Sequence, residues 1–477
     1  MPLQQNFTFF DRYTPFTDVV ALKEASARSL RKSLRVNLLK ASMEAVTAWG
    51  KEHGWSMERI PWCEGAFFID RDDRSTALGK DLLHLIGATY MQEAASMLPV
   101  SLLGPKPGES ILDLCAAPGS KTTQIASMLK GWGVIVCNDV QEKRLWTLKS
   151  SLYRCGVRNA VVMKKVGQWW SRHMTERFDR VLCDAPCTAQ GTVRKDSDAL
   201  RYTGEENIAH MARLQVQLLE AAVHCAKVGG RIVYSTCTLS PQENEAVCLH
   251  ILNKFCDQLE IVDPRELRVA PDGFFERSIE DSIRVQHVLA MGEEQPFLRL
   301  WPQTYDTEGF FCAVFQKKAP TREVESLRWV RFQEDRLPIA RERDIADALQ
   351  CKYNGTFFDA SDALYQRKEQ ILLSTKSVED FGLPTEDYAL GLPFCKLLSD
   401  GRVRIAHEAA TLRGLTATSQ MLTLSDEQLS LFLQGKDAPC DTALYGDLLL
   451  LYSGFCIGRG LAKEGKLKNN LPREMIF

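Results

Sequence analysis

Leu112-Asp113-Leu114-Cys115-Ala116-Ala117-Pro118-Gly119-Ser120-Lys121 runs from a short apolar strand, through a turn of small residues, into the start of a helix. The strand itself begins at 110, and similar apolar runs occupy 134–138, 160–166, 180–183 and 231–235. Segments with helical character fill the gaps, at 123–128, 142–154, 208–226 and 241–255. Nearly continuous apolar strands alternating with helices predict a parallel sheet covered on both faces. The pair 297–301 and 310–317 predicts a hairpin at one end of that sheet. The expected fold class is α/β, with a Rossmann-like core.

The chain has 477 residues, 45% hydrophobic and 25% charged. That is an ordinary globular composition with room for about three or four domains of roughly 100–200 residues. Residues 1–105 read as a mixed helix-and-strand domain and 106–318 as the α/β core. A charge-rich stretch, 319–384, reads as a small connecting α/β domain. Residues 385–477 read as a compact β-rich module punctuated by glycines such as Gly391, Gly446 and Gly458. Its tail is basic, with Arg459, Lys463, Lys466, Lys468 and Arg473. Near the start, Arg28, Arg31, Lys32 and Arg35 read either as a phosphate contact or as a solvated helix face.

No apolar run of about 18 residues exists, so no membrane span is expected. The opening Met1-Pro2-Leu3-Gln4-Gln5-Asn6 lacks the pattern of a secretory signal. Fifteen cysteines are scattered, with no CxxC pair, and Cys183 and Cys187 have the wrong spacing for a zinc knuckle. Cys115, Cys137 and Cys183 lie in apolar strands, where a reduced cysteine behaves as a small hydrophobe. A reducing cytoplasm is the expected location, and a monomer the expected state. The formal net charge of −2 means that any attraction for nucleic acid comes from local patches.

The turn after the first strand suits a ligand. Ala116, Ala117 and Gly119 allow close approach to the backbone, and Ser120 is placed to cap the helix that follows. A single glycine without the GxGxxG spacing disfavours a pyrophosphate. A cofactor without phosphates fits better, with S-adenosylmethionine the leading candidate. Asp139 ends the next strand, about 20 residues on, where an acidic side chain commonly holds ribose hydroxyls.

Two cysteines sit just past strands at the same sheet edge: Cys187 in Asp184-Ala185-Pro186-Cys187 and Cys237 in Tyr234-Ser235-Thr236-Cys237-Thr238. Amino-group methyltransferases tend to carry an aromatic residue where Cys187 stands, which argues against N-methylation. Two thiols beside a methyl donor point instead to covalent activation of a poor carbon nucleophile, such as C5 of cytosine. Thiolate addition at C6 makes C5 enamine-like, so C5 takes the methyl, loses its proton and lets the thiol go. A free thiol with pKa ~8.5 is mostly protonated at neutral pH, so the site must favour the thiolate. Lys121 or the cofactor's sulfonium is placed to help, and Asp184 to hydrogen-bond or protonate N3. The target base must be flipped or single-stranded. These residues do not order the two thiols, since DNA cytosine methyltransferases use the Pro-Cys one.

At these motifs the chain resembles the RNA cytosine-C5 methyltransferases of the Sun/Nop family. The resemblance rests on 113–122, Asn138-Asp139, 184–191, 234–238 with Glu243-Asn244-Glu245, and Gly309-Phe310-Phe311. It extends upstream to Arg35-Val36-Asn37 and Tyr90-Met91-Gln92-Glu93. Downstream, Gly391-Leu392-Pro393, Arg402-Val403-Arg404 and Lys468-Asn469-Asn470-Leu471-Pro472-Arg473 look like the PUA-like tail of its RsmF (YebU) branch, which modifies small-subunit ribosomal RNA. The resemblance implies a class I methyltransferase core between a mixed N-terminal domain and a PUA-like C-terminal domain. It implies Cys237 as nucleophile and Cys187 as the thiol that assists release. Ala116, Ala117, Pro118, Gly119, Ser120, Lys121, Asp139 and Asp184 would line the S-adenosylmethionine site. The expected partner is ribosomal RNA or the small ribosomal subunit.

Three departures stand out. Lys165-Val166-Gly167-Gln168 replaces the usual Asp near adenine, Pro186-Cys187-Thr188-Ala189 replaces Pro-Cys-Ser-Gly, and Gln303 follows Trp301-Pro302 where a His is common. Val166 motivates an alternative, a weakly catalytic ribosome-assembly factor; a second alternative keeps the chemistry but acts on transfer RNA.

Overall fold

The structure, a computed structural model, describes residues 7–74, 77–324, 336–385 and 388–476. At its centre is a nine-stranded sheet. Five strands run parallel, in the order Ala226–Thr236, Phe178–Asp184, Ser110–Asp113, Val134–Asn138, Ala160–Met163. Their residues are almost all buried, because helices cover both faces and leave no solvent side to alternate toward. Ser110–Asp113 has a neighbour on each side that follows it in sequence, so the chain reverses direction there. That switch point opens a crevice beyond the carboxyl ends of the strands, the usual ligand position in such sheets.

The expected hairpin is present: Leu298–Leu300 pairs antiparallel with Phe310–Lys317, which inserts between Ala226–Thr236 and Leu259–Ile261. This brings Gly309 and Phe310 to the end of the sheet where Thr236 stops. At the other edge Tyr388–Leu390 pairs with Ala160–Met163. The expected strand 160–166 therefore ends early. Asn138 explains why: its side chain accepts the Lys165 N–H at 2.8 Å and donates to the Lys165 carbonyl at 2.9 Å, pulling the chain out of the ladder. Val166 then starts the helix Gly167–His173. The expected helix 241–255 also starts late, at Glu245, because 241–244 turn inward.

The N-terminal part folds as a four-stranded antiparallel sheet built from Lys32–Val36, Trp55–Arg59, Ala66–Arg71 and Thr89–Met91. The early basic stretch splits. Arg31 lies over the Phe68 ring at 3.9 Å and pairs with Glu58 at 2.5 Å. Arg35 is buried and donates to Thr123 Oγ1 at 3.0 Å, so it joins this sheet to the core instead of meeting phosphate.

Beyond the core, Asp362–Arg367, Gln370–Thr375, Leu392–Leu397 and Val403–Ile405 make one antiparallel sheet. The expected boundary at 384/385 falls inside it, since Leu373 pairs with Leu392. A five-stranded sheet of Met421–Thr423, Ala438–Pro439, Gly446–Tyr452, Phe455–Lys463 and Lys466–Asn469 closes the chain. Its apolar side shares a core with the N-terminal sheet, including Leu34, Trp49, Phe432 and Phe455. Among the described residues no helix is long and apolar enough to cross a membrane.

Candidate active site

The residues expected to hold the cofactor and the two cysteines lie at the carboxyl ends of the parallel strands or in the turns and helix start just beyond them. The turn after Ser110–Asp113 contains a cis Ala117–Pro118 bond and Gly119 at φ +107°. A Cβ on Gly119 would sit 3.1 Å from both Leu148 and Ser151, so glycine lets the turn press onto the helix Glu142–Arg154. Gly119, not Ser120, occupies the cap position of the helix Ser120–Leu129, and no side chain caps it. Its first N–H groups are thus left for a ligand or water. Pro118 is exposed, while Ala116 and Ala117 are buried.

Beneath the turn, Asp113 is buried and accepts from Thr122 Oγ1 at 2.7 Å, leaving its other carboxylate oxygen without a hydrogen-bond partner. Burial pushes its carboxyl up to about 7, and the charge of Asp184 adds to that. Asp139 is 3% exposed and already committed: it accepts the Gln141 N–H at 2.9 Å and pairs with Arg144 at 3.0 Å. Arg144 also donates to the Ala117 carbonyl, tying the two cofactor-side turns together. Nothing in the sequence distinguished Arg144 from an ordinary surface cation on a helix.

Cys187 and Cys237 come together, with Sγ atoms 3.4 Å apart. The hydrogen bond to Cys237 is the main reason the Cys187 thiol is held well above its ordinary pKa; burial adds to it. Burial alone explains the raised thiols of Cys225 and Cys395, away from this site. Lys121 pairs with Asp184 at 2.8 Å and donates to Ser96 Oγ at 2.9 Å. Burial works against its charge, but Asp184, with smaller help from Cys237 and Asp113, outweighs it and raises the ammonium's pKa. Asp184 also accepts from Ser235 Oγ at 2.7 Å, so a thiol-bearing strand end fixes the carboxylate.

Three buried residues in one turn hold the two cysteine loops. Glu243 accepts from the Thr188 N–H at 3.0 Å, Thr238 Oγ1 at 3.2 Å and Gln215 at 2.9 Å, and from the Thr188 hydroxyl as well. Asn244 bonds Thr236 Oγ1 at 2.5 Å and the Thr238 carbonyl at 3.0 Å. Glu245 and Arg299, each about 1% exposed or less, form a buried pair at 2.8 Å, and Arg299 donates to the Leu239 carbonyl at 2.8 Å. Thr188, which departs from the family's Ser, is thus a full member of the network. Gln303 donates to Thr17 Oγ1 at 2.8 Å, linking the loop beyond Trp301 to the N-terminal segment.

These residues fit S-adenosylmethionine. The site has an uncapped helix start, a buried carboxylate with an orphaned oxygen, and a second acidic side chain at the next strand end.

Comparison with known proteins agrees. Residues 100–316 match the family described as 16S rRNA methyltransferase RsmB/F, 8–94 the N-terminal domain of 16S rRNA methyltransferase RsmF, and 419–477 the methyltransferase RsmF PUA domain. Ribosomal RNA small subunit methyltransferase F of Vibrio cholerae is 34% identical over 468 residues, covering 97% of this chain and 94% of that protein. Its counterpart in Aeromonas hydrophila is 35% identical over 94% of this chain and 92% of its own length. Among solved structures, a methyltransferase homolog protein from Pyrococcus horikoshii is 30% identical, with a TM-score of 0.54 over 66% of this chain and 96% of its own. Another from that organism, named NSun6, shares the fold at 21% identity and the same TM-score. The chain belongs to the ribosomal RNA small subunit methyltransferase F family.

Proposed function

We propose that the protein methylates C5 of a cytosine in small-subunit ribosomal RNA through a covalent bond between Cys237 and C6 of the base. S-adenosylmethionine supplies the methyl group. The observation that carries this reading is the pair of thiols 3.4 Å apart, beside a lysine–carboxylate pair at the cofactor end of the sheet. Asp113, the 116–120 turn and Asp139 would hold the cofactor. With no acid at position 166, the exposed apolar side chains of Val140 and Val166, 52% and 57% exposed, would offer adenine a hydrophobic contact instead.

The thiols divide the work. As the family resemblance implies, Cys237 attacks and Cys187, whose hydrogen bond to Cys237 and burial favour the thiol, keeps its proton. Lys121, paired with Asp184 at 2.8 Å, sets the positive charge of this end of the site. Asp184, oriented by Lys121 and Ser235, meets N3 as the ring loses aromaticity. When the adduct breaks, the Cys187 S–H hydrogen-bonds the departing Cys237 thiolate. RNA is recruited by the C-terminal module and its basic tail, and the enzyme works in the cytoplasm as a monomer.

A trapping assay tests this. Wild type, Cys187→Ser, Cys237→Ser and the double variant are mixed with S-adenosylmethionine and small-subunit ribosomal RNA, and denaturation-resistant protein–RNA adducts are scored. Adduct should accumulate in Cys187→Ser and vanish in both variants that lack Cys237. Adduct persisting without Cys237 would reverse the assignment, and no adduct from any variant would remove the covalent mechanism.

A further inference from the structure

The chemistry above leaves one proton without an acceptor, the one on C5 once that carbon has been methylated. Asp184 is committed to Lys121 and Ser235, and Cys187 keeps its proton for the departing Cys237 thiolate. Both oxygens of Asp139, of Glu93 and of Glu243 accept hydrogen bonds or pair with a cation. Asp113 has a free oxygen, but it lies under the cofactor turn. Glu308 remains.

Glu308 is 5% exposed, and its Oε1 is fully buried without a hydrogen-bond partner among the described residues. A buried carboxylate oxygen left without a donor is destabilising, so it calls for a ligand. The backbone places it beside the thiols. The next residue, Gly309, donates its N–H to Gly191 O at 3.0 Å, and Gly191 donates to Cys237 O at 2.9 Å. Two residues on, the Phe310 ring centre lies 5.4 Å from Lys121 Nζ. Lys121 is also among the cations that act electrostatically on the Glu308 carboxylate.

The loop is also held rigid. Glu93 accepts the Glu308 N–H at 3.2 Å with one oxygen and the Ser96 N–H at 3.0 Å with the other. Arg194, its side chain fully buried, donates to Thr307 O at 3.1 Å and pairs with Asp306 at 2.8 Å.

We propose that Glu308 is the base that takes the C5 proton and so releases Cys237, an inference that rests on the cytosine-C5 reading above. The carboxylate removes the proton. The C5–H electron pair becomes the C5=C6 double bond, and the C6–Sγ pair leaves on Cys237 as a thiolate. Glu308 returns its proton to solvent as the RNA departs. The charged groups facing it are Glu93, Lys195, Lys121 and Arg194. Burial first, then the negative charge of Glu93, push its carboxyl up to about 7 against the three cations. That is the range in which a base both exists at neutral pH and binds a proton strongly.

The test uses the full chain with small-subunit RNA containing 5-tritiated cytosine, a parallel RNA containing 5-fluorocytosine, and methyl-labelled S-adenosylmethionine. The fluorinated base can be attacked and methylated but offers no C5 proton. Glu308→Gln should slow tritium release by roughly 100-fold or more. It should accumulate methylated adduct on ordinary RNA and form the fluorocytosine adduct in wild-type yield. Wild-type release should fall with unit slope below pH 7, and the variant's residual rate should be flat there. Tritium release within about threefold of wild type would overturn the assignment, because removing the essential base must show in the rate. A variant that binds cofactor normally yet forms no fluorocytosine adduct would also overturn it, placing Glu308 before proton removal. No fluorocytosine adduct from the wild type would instead overturn the cytosine-C5 reading itself.

Discussion

Lys121 and Asp184 form the charged pair of the site, 2.8 Å apart. Removing the ammonium leaves Asp184 without its cation at 2.8 Å. Lys121→Met should lower single-turnover methylation by about 100-fold, the scale of losing one preorganised electrostatic partner. Binding of S-adenosylmethionine, followed by calorimetry, should change far less. The thiols were legible because each follows an apolar strand within a short motif. Glu243 and Glu308 were not assigned roles, because a carboxylate in a turn reads as solvated until the fold buries it. Arg144 hid in the same way on a helix face.

At the scale of elements, the site depends on loops stitched across the sheet's end. A Cβ on Gly191 would lie 2.1 Å from Gly309 O and 2.7 Å from Cys237 O, both backbone atoms that cannot step aside. Gly191→Ala should displace the Cys237 loop and abolish adduct formation while the parallel sheet stays folded; adduct yield and far-UV circular dichroism check both halves. Glu243→Ala would leave the Thr188, Thr238 and Gln215 donors unsatisfied. A loss of about 2–4 kcal/mol in urea unfolding is expected, from several buried polar groups stranded at once. The strands and helices of the core were readable from apolar runs alone. Their ends were not, as at Met163 and Glu245, because a side-chain hydrogen bond such as that of Asn138 to Lys165 decides where a ladder stops.

For the whole molecule, the N-terminal sheet and the last sheet share one apolar core, with Trp49 edge-on to Phe455 at 6.1 Å. Phe432 is fully buried in it. Phe432→Ala should cost about 3–5 kcal/mol, and the loss should appear in the N-terminal part as well as the C-terminal one. Hydrogen exchange at Leu34 and Val36 would register it. RNA recruitment belongs to this scale too. Lys466 pairs only loosely with Asp437, at 3.4 Å, and is 68% exposed. Reversing the charge of Lys466 and Lys468 together should weaken RNA binding and reduce the salt slope by about 2, one for each lost phosphate contact. An unchanged slope would exclude that face.

The sequence by itself determined the parallel α/β core, a turn of small residues after its first strand, and the two cysteines that meet beyond its strand ends. These depend on local signals: apolar runs, small residues at a turn, and cysteines at strand ends. Tertiary structure alone decided which carboxylates are committed and which is left free, and that Arg35 joins domains. It also decided that the connecting stretch and the C-terminal module do not divide at 384/385, because Leu373 and Leu392 lie side by side in one sheet. Those outcomes depend on which distant segments meet, and on the burial and pairing that follow, which no short stretch of the chain encodes.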